Sequence, residues 1–308
     1  MMKPVVSINL ARIRKNAQSI KDRTGVPIIA VVKADAYGLG APEVAGAIGD
    51  LVEAFYVFET PEAIAARLWD ITGKRIISLN TQESAGDLRQ HHIQPVAWSV
   101  QQAAELRVAH PVLSIDTGQQ RFAAAREIAD QVCIAGDCRE AMTHATKIEH
   151  VDLLLQTIAG WSDRKLFLHA AGSALLDEPR ACLNAVRPGL ALYQGAVKVS
   201  APLVDVRESN RPAGYTGFVT PRFGVVLAGY SNGMLKGPCR VNGQIRQVLE
   251  VGMQSCFIEA GPGDQIGDAV ELLGDTPGID LPGIARAWGA SQQEVLVQLC
   301  RAGKRVYA

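Results

Sequence analysis

Pro27-Ile28-Ile29-Ala30-Val31-Val32 is an unbroken apolar run of strand length, and it stops on a cation, Lys33. Runs without polar alternation suit parallel strands that are covered on both faces. The pattern recurs along the chain. Ala54-Phe55-Tyr56-Val57-Phe58 precedes a helical stretch from Pro61 to Trp69, and Arg75-Ile76-Ile77-Ser78-Leu79 precedes another near Gln82 to Gln90. Further short apolar runs fall near Gln94 to Trp98, Pro111 to Ile115, Ala141 to His144, Leu166 to His169 and Ala185 to Arg187. Ahead of the first run, Leu10, Ile13, Ala17 and Ile20 stand at helical spacing, with Asn9 available as a cap. Eight strands alternating with helices predict an α/β fold, a (β/α)8 TIM-type barrel of trimmed size; an open parallel sheet is the rival.

Beyond about residue 196 the texture changes. Phe223-Gly224-Val225-Val226-Leu227, Cys239-Arg240-Val241, Gln247-Val248-Leu249-Glu250-Val251 and Ala269-Val270-Glu271-Leu272-Leu273 are short runs rich in β-branched residues. Ser231-Asn232-Gly233 and Val241-Asn242-Gly243 punctuate them as turns. This predicts a C-terminal, mainly antiparallel β domain. A helical segment, Ser291 to Leu299, then precedes a basic end, Arg301-Ala302-Gly303-Lys304-Arg305. The expected division is a barrel over 9–196 and a β domain over 197–308 that also takes residues 1–8.

The 308 residues carry 31 basic and 31 acidic side chains, so no dominant positive surface exists for nucleic acid. Apolar residues at 48% and charged ones at 20% indicate a globular chain rather than a disordered one. No window holds 18 uninterrupted apolar residues, and Met1-Met2-Lys3-Pro4 leads into charged sequence without a secretory core. The expectation is a cytoplasmic protein with no membrane segment. Cys133, Cys138, Cys182, Cys239, Cys256 and Cys300 lack zinc-type spacing and read as reduced thiols, with no metal site.

A lysine at the end of a buried strand is unusual. Burial lowers its pKa toward the neutral amine that carbonyl chemistry needs. The following Asp35-Ala36-Tyr37-Gly38-Leu39-Gly40 adds a hydroxyl and a glycine-permitted turn. On position alone, Lys33 reads equally well as a strand-end lysine snorkelling to water, with Tyr37 as a packing residue.

The segment Val31-Val32-Lys33-Ala34-Asp35-Ala36-Tyr37-Gly38-Leu39-Gly40 resembles the cofactor-attachment motif of the alanine racemases, fold-type III enzymes, and later segments match that family in order. The resemblance implies pyridoxal 5'-phosphate held by Lys33 in the barrel, and a homodimer in which the β domain of the second subunit completes each site. Asp116-Thr117-Gly118-Gln119-Gln120-Arg121 resembles the family's DTG…R segment, which implies that Arg121 binds the substrate carboxylate and the cofactor. Thr143-His144-Ala145 is similar to its THxA segment, where His144 would support the catalytic tyrosine and a neighbouring arginine. Arg187-Pro188-Gly189-Leu190 matches RPG, which implies that Arg187 donates to the pyridine nitrogen while Gly189 and Leu190 approach the phosphate. Ser173, in His169-Ala170-Ala171-Gly172-Ser173, is implied at the phosphate too, and Tyr37 is implied to bind the cofactor. In the β domain, Gly214-Tyr215-Thr216-Gly217 stands where the family carries its second catalytic residue, and Met253 where a backbone N–H meets the substrate carboxylate. Gly229-Tyr230-Ser231-Asn232-Gly233 resembles the GYADG segment.

Four positions depart from the pattern. Ser114 replaces a lysine that is often carbamylated, Gly172 an asparagine, Gln254 an aspartate, and Arg301 stands where a phosphate-binding tyrosine is expected. The resemblance therefore implies an amino-acid racemase that interconverts L- and D-alanine with two bases, Lys33 and Tyr215. The alternatives are a racemase of the same fold acting on serine, lysine or glutamate, a catalytically silent cofactor carrier, and a related decarboxylase or aldolase. Tyr215 argues against the second, and the third lacks its cysteine motif or metal cluster.

Overall fold

The computed structural model describes residues 4–161, 164–301 and 303–308; the opening Met1-Met2-Lys3 lies outside them. The chain divides into two compact units. One comprises residues 13–36 and 40–192, the other the segment up to Arg12, residues 37–39 and residues 193–308.

Val5–Ile8 forms strand β1, and the helix Leu10–Thr24 follows it. Asn9 Oδ1 accepts the Arg12 N–H at 2.7 Å, which is the predicted cap. Ile13, Ala17 and Ile20 are the buried face of this helix.

The first unit is built on β2 (Ile29–Val31), β3 (Ala54–Glu59), β4 (Arg75–Asn80), β5 (Ile93–Ala97), β6 (Val112–Ser114), β7 (Glu140–Ala145) and β8 (Phe167–Ala171). Each lies parallel to the next in sequence order. The expected eighth strand, Ala185 to Arg187, closes the ring by single bridges only, His169 with Ala185 and Ile28 with Val186. Ile29 donates its N–H to Val186 O at 2.8 Å and Val31 donates to Pro188 O at 2.9 Å. Pro188 has no N–H to continue the ladder, so the segment stays short. Alternate side chains point inward, and Ile29, Ala54, Tyr56, Ile77, Val96, Val112, Met142 and Ala185 pack as the barrel core.

Two helices differ from expectation. The stretch from Pro61 to Trp69 is a pair, Thr60–Ala65 and Leu68–Thr72, interrupted where Arg67 turns left-handed at φ 51°. No glycine or proline marks that break in the sequence. The helix expected from Gln82 begins at Ala85, because Ser84 caps it by accepting the Asp87 N–H.

The second unit holds β9 (Val197–Glu208), β10 (Arg222–Val226), β11 (Pro238–Val241), β12 (Gln244–Val251), β13 (Cys256–Glu259), β14 (Ala269–Leu273) and β15 (Lys304–Tyr307). The first half of β9 pairs with β1 and β14, and its second half with β10. Among the described residues this closes an antiparallel barrel in the order β9-β10-β13-β12-β11-β14. Asn242 and Gly243, at φ 47° and 79°, make the tight turn between β11 and β12. Lys304 and Arg305 of the basic end open strand β15, which adds to the edge of β1 in parallel. All six cysteines are buried free thiols. Among the described residues no helix is long and apolar enough to cross a membrane.

Candidate active site

Lys33 follows β2 at the carboxyl end of the parallel strands, where side chains of several strands converge in barrels of this type. The backbone after it is left-handed over Ala34, Asp35, Ala36 and Tyr37, with φ from 52° to 60°. Each L-residue held there costs about 1–2 kcal/mol, so the turn needs anchors. Glu62 Oε2 accepts the Ala34 N–H at 2.7 Å, and Asp35 Oδ1 accepts the Ala41 N–H at 2.8 Å. Ala36 donates to Val32 O at 2.8 Å.

Lys33 is half-buried. Burial and the nearby Arg121 guanidinium lower its pKa, against the pull of the Glu62 carboxylate. Arg121 is exposed, and its guanidinium meets no carboxylate among the described residues. Asp116 Oδ1 shapes the loop that carries it by accepting the N–H groups of Gly118 at 2.8 Å and Gln120 at 3.1 Å. Ser114 is buried at the end of β6, and Thr117 and Thr143 share a hydroxyl hydrogen bond of 2.7 Å. His144 reaches the surface of the mouth at the end of β7. Surrounding protein, then the charges of Arg187, Lys33 and Arg121, push its pKa down to about 4. The imidazole is therefore neutral at physiological pH.

Arg187 is buried, and its guanidinium carbon lies 5.7 Å from the centre of the Tyr56 ring. Its Nη2 donates to Thr143 O at 2.5 Å; its Nη1 donates to His169 O at 2.8 Å and to His169 Nδ1. His169 accepts at Nδ1, so its proton sits on Nε2, which lies 2.8 Å from Glu140 Oε1. Glu140 also takes Arg75 Nη1 at 2.7 Å. Burial alone would raise the Glu140 pKa, but His169 and Arg75 hold it at about 2. Burial and Arg187 push His169 down to about 4. The result is a column of alternating character inside the barrel: Arg75 cation, Glu140 anion, neutral His169, Arg187 cation.

Ser173 Oγ accepts the N–H groups of Gly189 and Ala191, both at 3.1 Å. Leu190 lies between them and begins the short helix Leu190–Tyr193. A hydroxyl that accepts twice keeps its own proton to donate, so this corner favours an anion. Gly172 precedes Ser173 with ordinary extended geometry.

Lys33, Arg121, His144 and Arg187 are thus brought together, with Ser173, Gly189 and Leu190 in the same unit. The remaining predicted residues belong to the other unit. Tyr37 is buried against Tyr193, ring centroids 5.1 Å apart, and burial pushes its phenol up to about 12. Gly38 carries φ 86°, and a Cβ there would lie 3.1 Å from Arg301 Cγ and Cys300 Cβ. Arg301 ends the helix Gln292–Arg301 with its aliphatic stem on that backbone. Tyr215 is 95% exposed and Met253 62% exposed. Gln254 follows Met253 in the turn that Ser231 meets by donating to Met253 O at 3.0 Å. A Cβ on Gly229 would strike Gly252 O and Met253 O at 2.4 Å, which accounts for the glycine.

Glu62, Tyr56, Arg75 and Glu140 escape the sequence reading. Glu62 had one usable signal, its place three residues into a helix that follows a strand, where a capping-box glutamate belongs.

A profile of the alanine racemase N-terminal domain matches residues 8–197. The alanine racemase of Pectobacterium atrosepticum is 30% identical over 345 aligned positions, covering 95% of this chain and 95% of the relative. The biosynthetic alanine racemase of Pseudomonas aeruginosa shares the fold with a TM-score of 0.88 at 24% identity, covering 100% of both chains. That of Bartonella henselae, described with covalently bound pyridoxal phosphate, does so with a TM-score of 0.86 at 21% identity, again over 100% of both chains. On the profile match and the sequence relatives, the chain belongs to the alanine racemase family.

Proposed function

We propose that this chain is a pyridoxal-phosphate-dependent amino-acid racemase acting on alanine. The observation that carries the reading is Lys33: a half-buried amine with a lowered pKa at the strand ends, grouped with two arginines and a neutral histidine. The donor set fits the cofactor. An aldehyde calls for an amine that loses its proton readily, which Lys33 supplies. A phosphate calls for hydrogen-bond donors, and the Ser173 hydroxyl keeps its proton to donate while it accepts from Gly189 and Ala191 on either side of Leu190. A pyridine nitrogen calls for one fixed donor, and Arg187 has its Nη atoms fixed by Thr143 and His169.

When bound, this cofactor delocalises the electron pair left as the α-proton departs. The chain does the rest. Arg121, whose guanidinium meets no carboxylate among the described residues, presents a planar fork suited to a substrate carboxylate. Lys33 takes or returns the α-proton at Nζ on one face, and the Tyr215 phenol does so on the other. Opposed faces need bases from opposed directions. The 95% exposure of Tyr215 supports a homodimer in which that phenol enters the partner's barrel mouth, with the Met253 turn beside the substrate carboxylate.

The deciding assay follows D-alanine formed from L-alanine with added cofactor, alongside a panel of other L-amino acids resolved by chiral chromatography. Alanine should turn over fastest; a clear preference for serine, lysine or glutamate would replace the substrate assignment. Lys33→Ala should abolish the visible absorption of lysine-bound cofactor and lower racemisation roughly a thousandfold or more. Survival of that absorption would overturn the attachment site.

A further inference from the structure

Tyr215 sits on a turn whose hydrogen bonds converge on one carboxylate. Glu250, 4% exposed near the end of β12, accepts the Tyr215 N–H at 2.9 Å with Oε1. Its Oε2 accepts the Thr216 N–H at 2.7 Å and the Thr216 hydroxyl at 2.6 Å. Gly214 has φ +66°, and a Cβ there would come within 2.7 Å of both carboxylate oxygens. The glycine is therefore required by the carboxylate as well as by the turn. The base of the turn is fixed separately: Ala213 donates to Phe218 O at 2.9 Å, and Phe218 packs against Phe223 and Phe257 at centroid distances of 5.5 and 5.2 Å.

The arrangement is selective. A buried carboxylate is costly unless it accepts good hydrogen bonds, and here three donors come from two residues at the tip of the turn. The same tip leaves the Tyr215 ring in solvent. The backbone is held tightly while the side chain makes no use of that order within its own subunit. Rigid placement without a local contact is what a group needs when it must meet reacting atoms elsewhere.

We infer that Glu250 is a positioning residue for Tyr215, fixing the backbone from which the phenol is presented. This rests on the reading of Tyr215 as one of two opposed bases. Two bases on opposite faces make a specific signature, because each exchanges the α-proton of only one enantiomer with solvent. Loss of position at one base slows exchange for one enantiomer and spares the other.

The experiment uses cofactor-loaded full-length enzyme in deuterated water, with L-alanine and D-alanine followed separately by proton NMR. Tyr215→Phe identifies the enantiomer that depends on the phenol. Glu250→Gln, which keeps the reach but cannot accept from both amides, should slow exchange of that same enantiomer by roughly ten- to a hundredfold. Exchange of the other enantiomer, KM and cofactor absorbance should stay within about twofold of native. Thr216→Val removes only the hydroxyl donor of an exposed residue, and it should give the same asymmetry in smaller measure even if Glu250→Gln fails to fold. Equal loss for both enantiomers, or no loss, in these variants overturns the role of Glu250. If Tyr215→Phe itself shows no asymmetry, the two-base reading fails and takes this inference with it.

Discussion

Glu140 is the residue on which the buried column turns. It faces Arg75 at 2.7 Å and His169 at 2.8 Å, and through His169 it fixes the face of Arg187. His169 titrates at 6.5 when unfolded and about 4 in the fold. Between those values the unfolded chain binds a proton that the folded chain does not, so stability falls as pH falls from 6.5 toward 4. Glu140 moves from 4.5 to about 2, which adds a second loss in the same direction over that lower window. Melting temperature measured against pH should therefore begin to drop below about 6.5 and keep dropping below 4.5. Glu140→Gln should remove the lower window. At neutral pH it should cost about 3–5 kcal/mol in denaturant titrations, because the half-buried Arg75 loses its partner and the buried Arg187 and His169 lose the only anion of the column. A variant with native stability and a native pH curve would show that the column contributes nothing. Arg187 stands in a motif that the sequence displays, whereas in the segment His169 to Ser173 only Ser173 drew attention. Arg75 and Glu140 were not legible: each opens a strand, and nothing in a single sequence tells which strand-opening charges face inward.

The left-handed turn after Lys33 shows the same limit for an element. Gly38 and Gly40 announced a turn, but the chain reverses four residues earlier, through Ala34, Asp35, Ala36 and Tyr37. Only aspartate among these residue types tolerates that region well, so no propensity signal marks the start. The turn exists because tertiary anchors hold it, above all the Asp35 carboxylate on Ala41 N–H, which caps the helix Ala41–Ile48 from outside. Asp35→Ala loses that acceptor and also places a less tolerant residue at φ 57°; it should cost about 1–2 kcal/mol by thermal or chemical melting. Asp35→Asn keeps an acceptor of the same reach and the same tolerance, so it should stay within about 0.5 kcal/mol of native. If the alanine variant is as stable as the asparagine one, the cap is not what holds the turn. Strands told a different story. Continuous apolar runs located β2 through β8 within a residue or two, since burial on both faces leaves a pattern that needs no partner to read. The segment Ala185 to Arg187 carried the same pattern, yet Pro188 limits it to bridges.

At the scale of the molecule, alternation of runs and the change in texture near residue 196 were enough to expect a parallel barrel and an antiparallel domain. They were not enough to see that β15 returns to pair with β1, because a pairing across nearly the whole chain leaves no local trace. The trans arrangement proposed for Tyr215 can be decided by mixing two inactive proteins. Lys33→Ala keeps Tyr215, and Tyr215→Phe keeps Lys33. If each site takes its lysine from one subunit and its phenol from the other, a hybrid dimer has one site with both groups and one with neither. Random reassortment makes half the dimers hybrid, and half of a hybrid's sites are intact, so the mixture should approach about a quarter of native activity. The parents should be close to inactive alone, and dilution should lower the recovered activity as hybrids dissociate. If lysine and phenol instead came from the same chain, every site in every dimer would lack one of them. The mixture would then only average its parents, and Tyr215 would have to serve its own barrel.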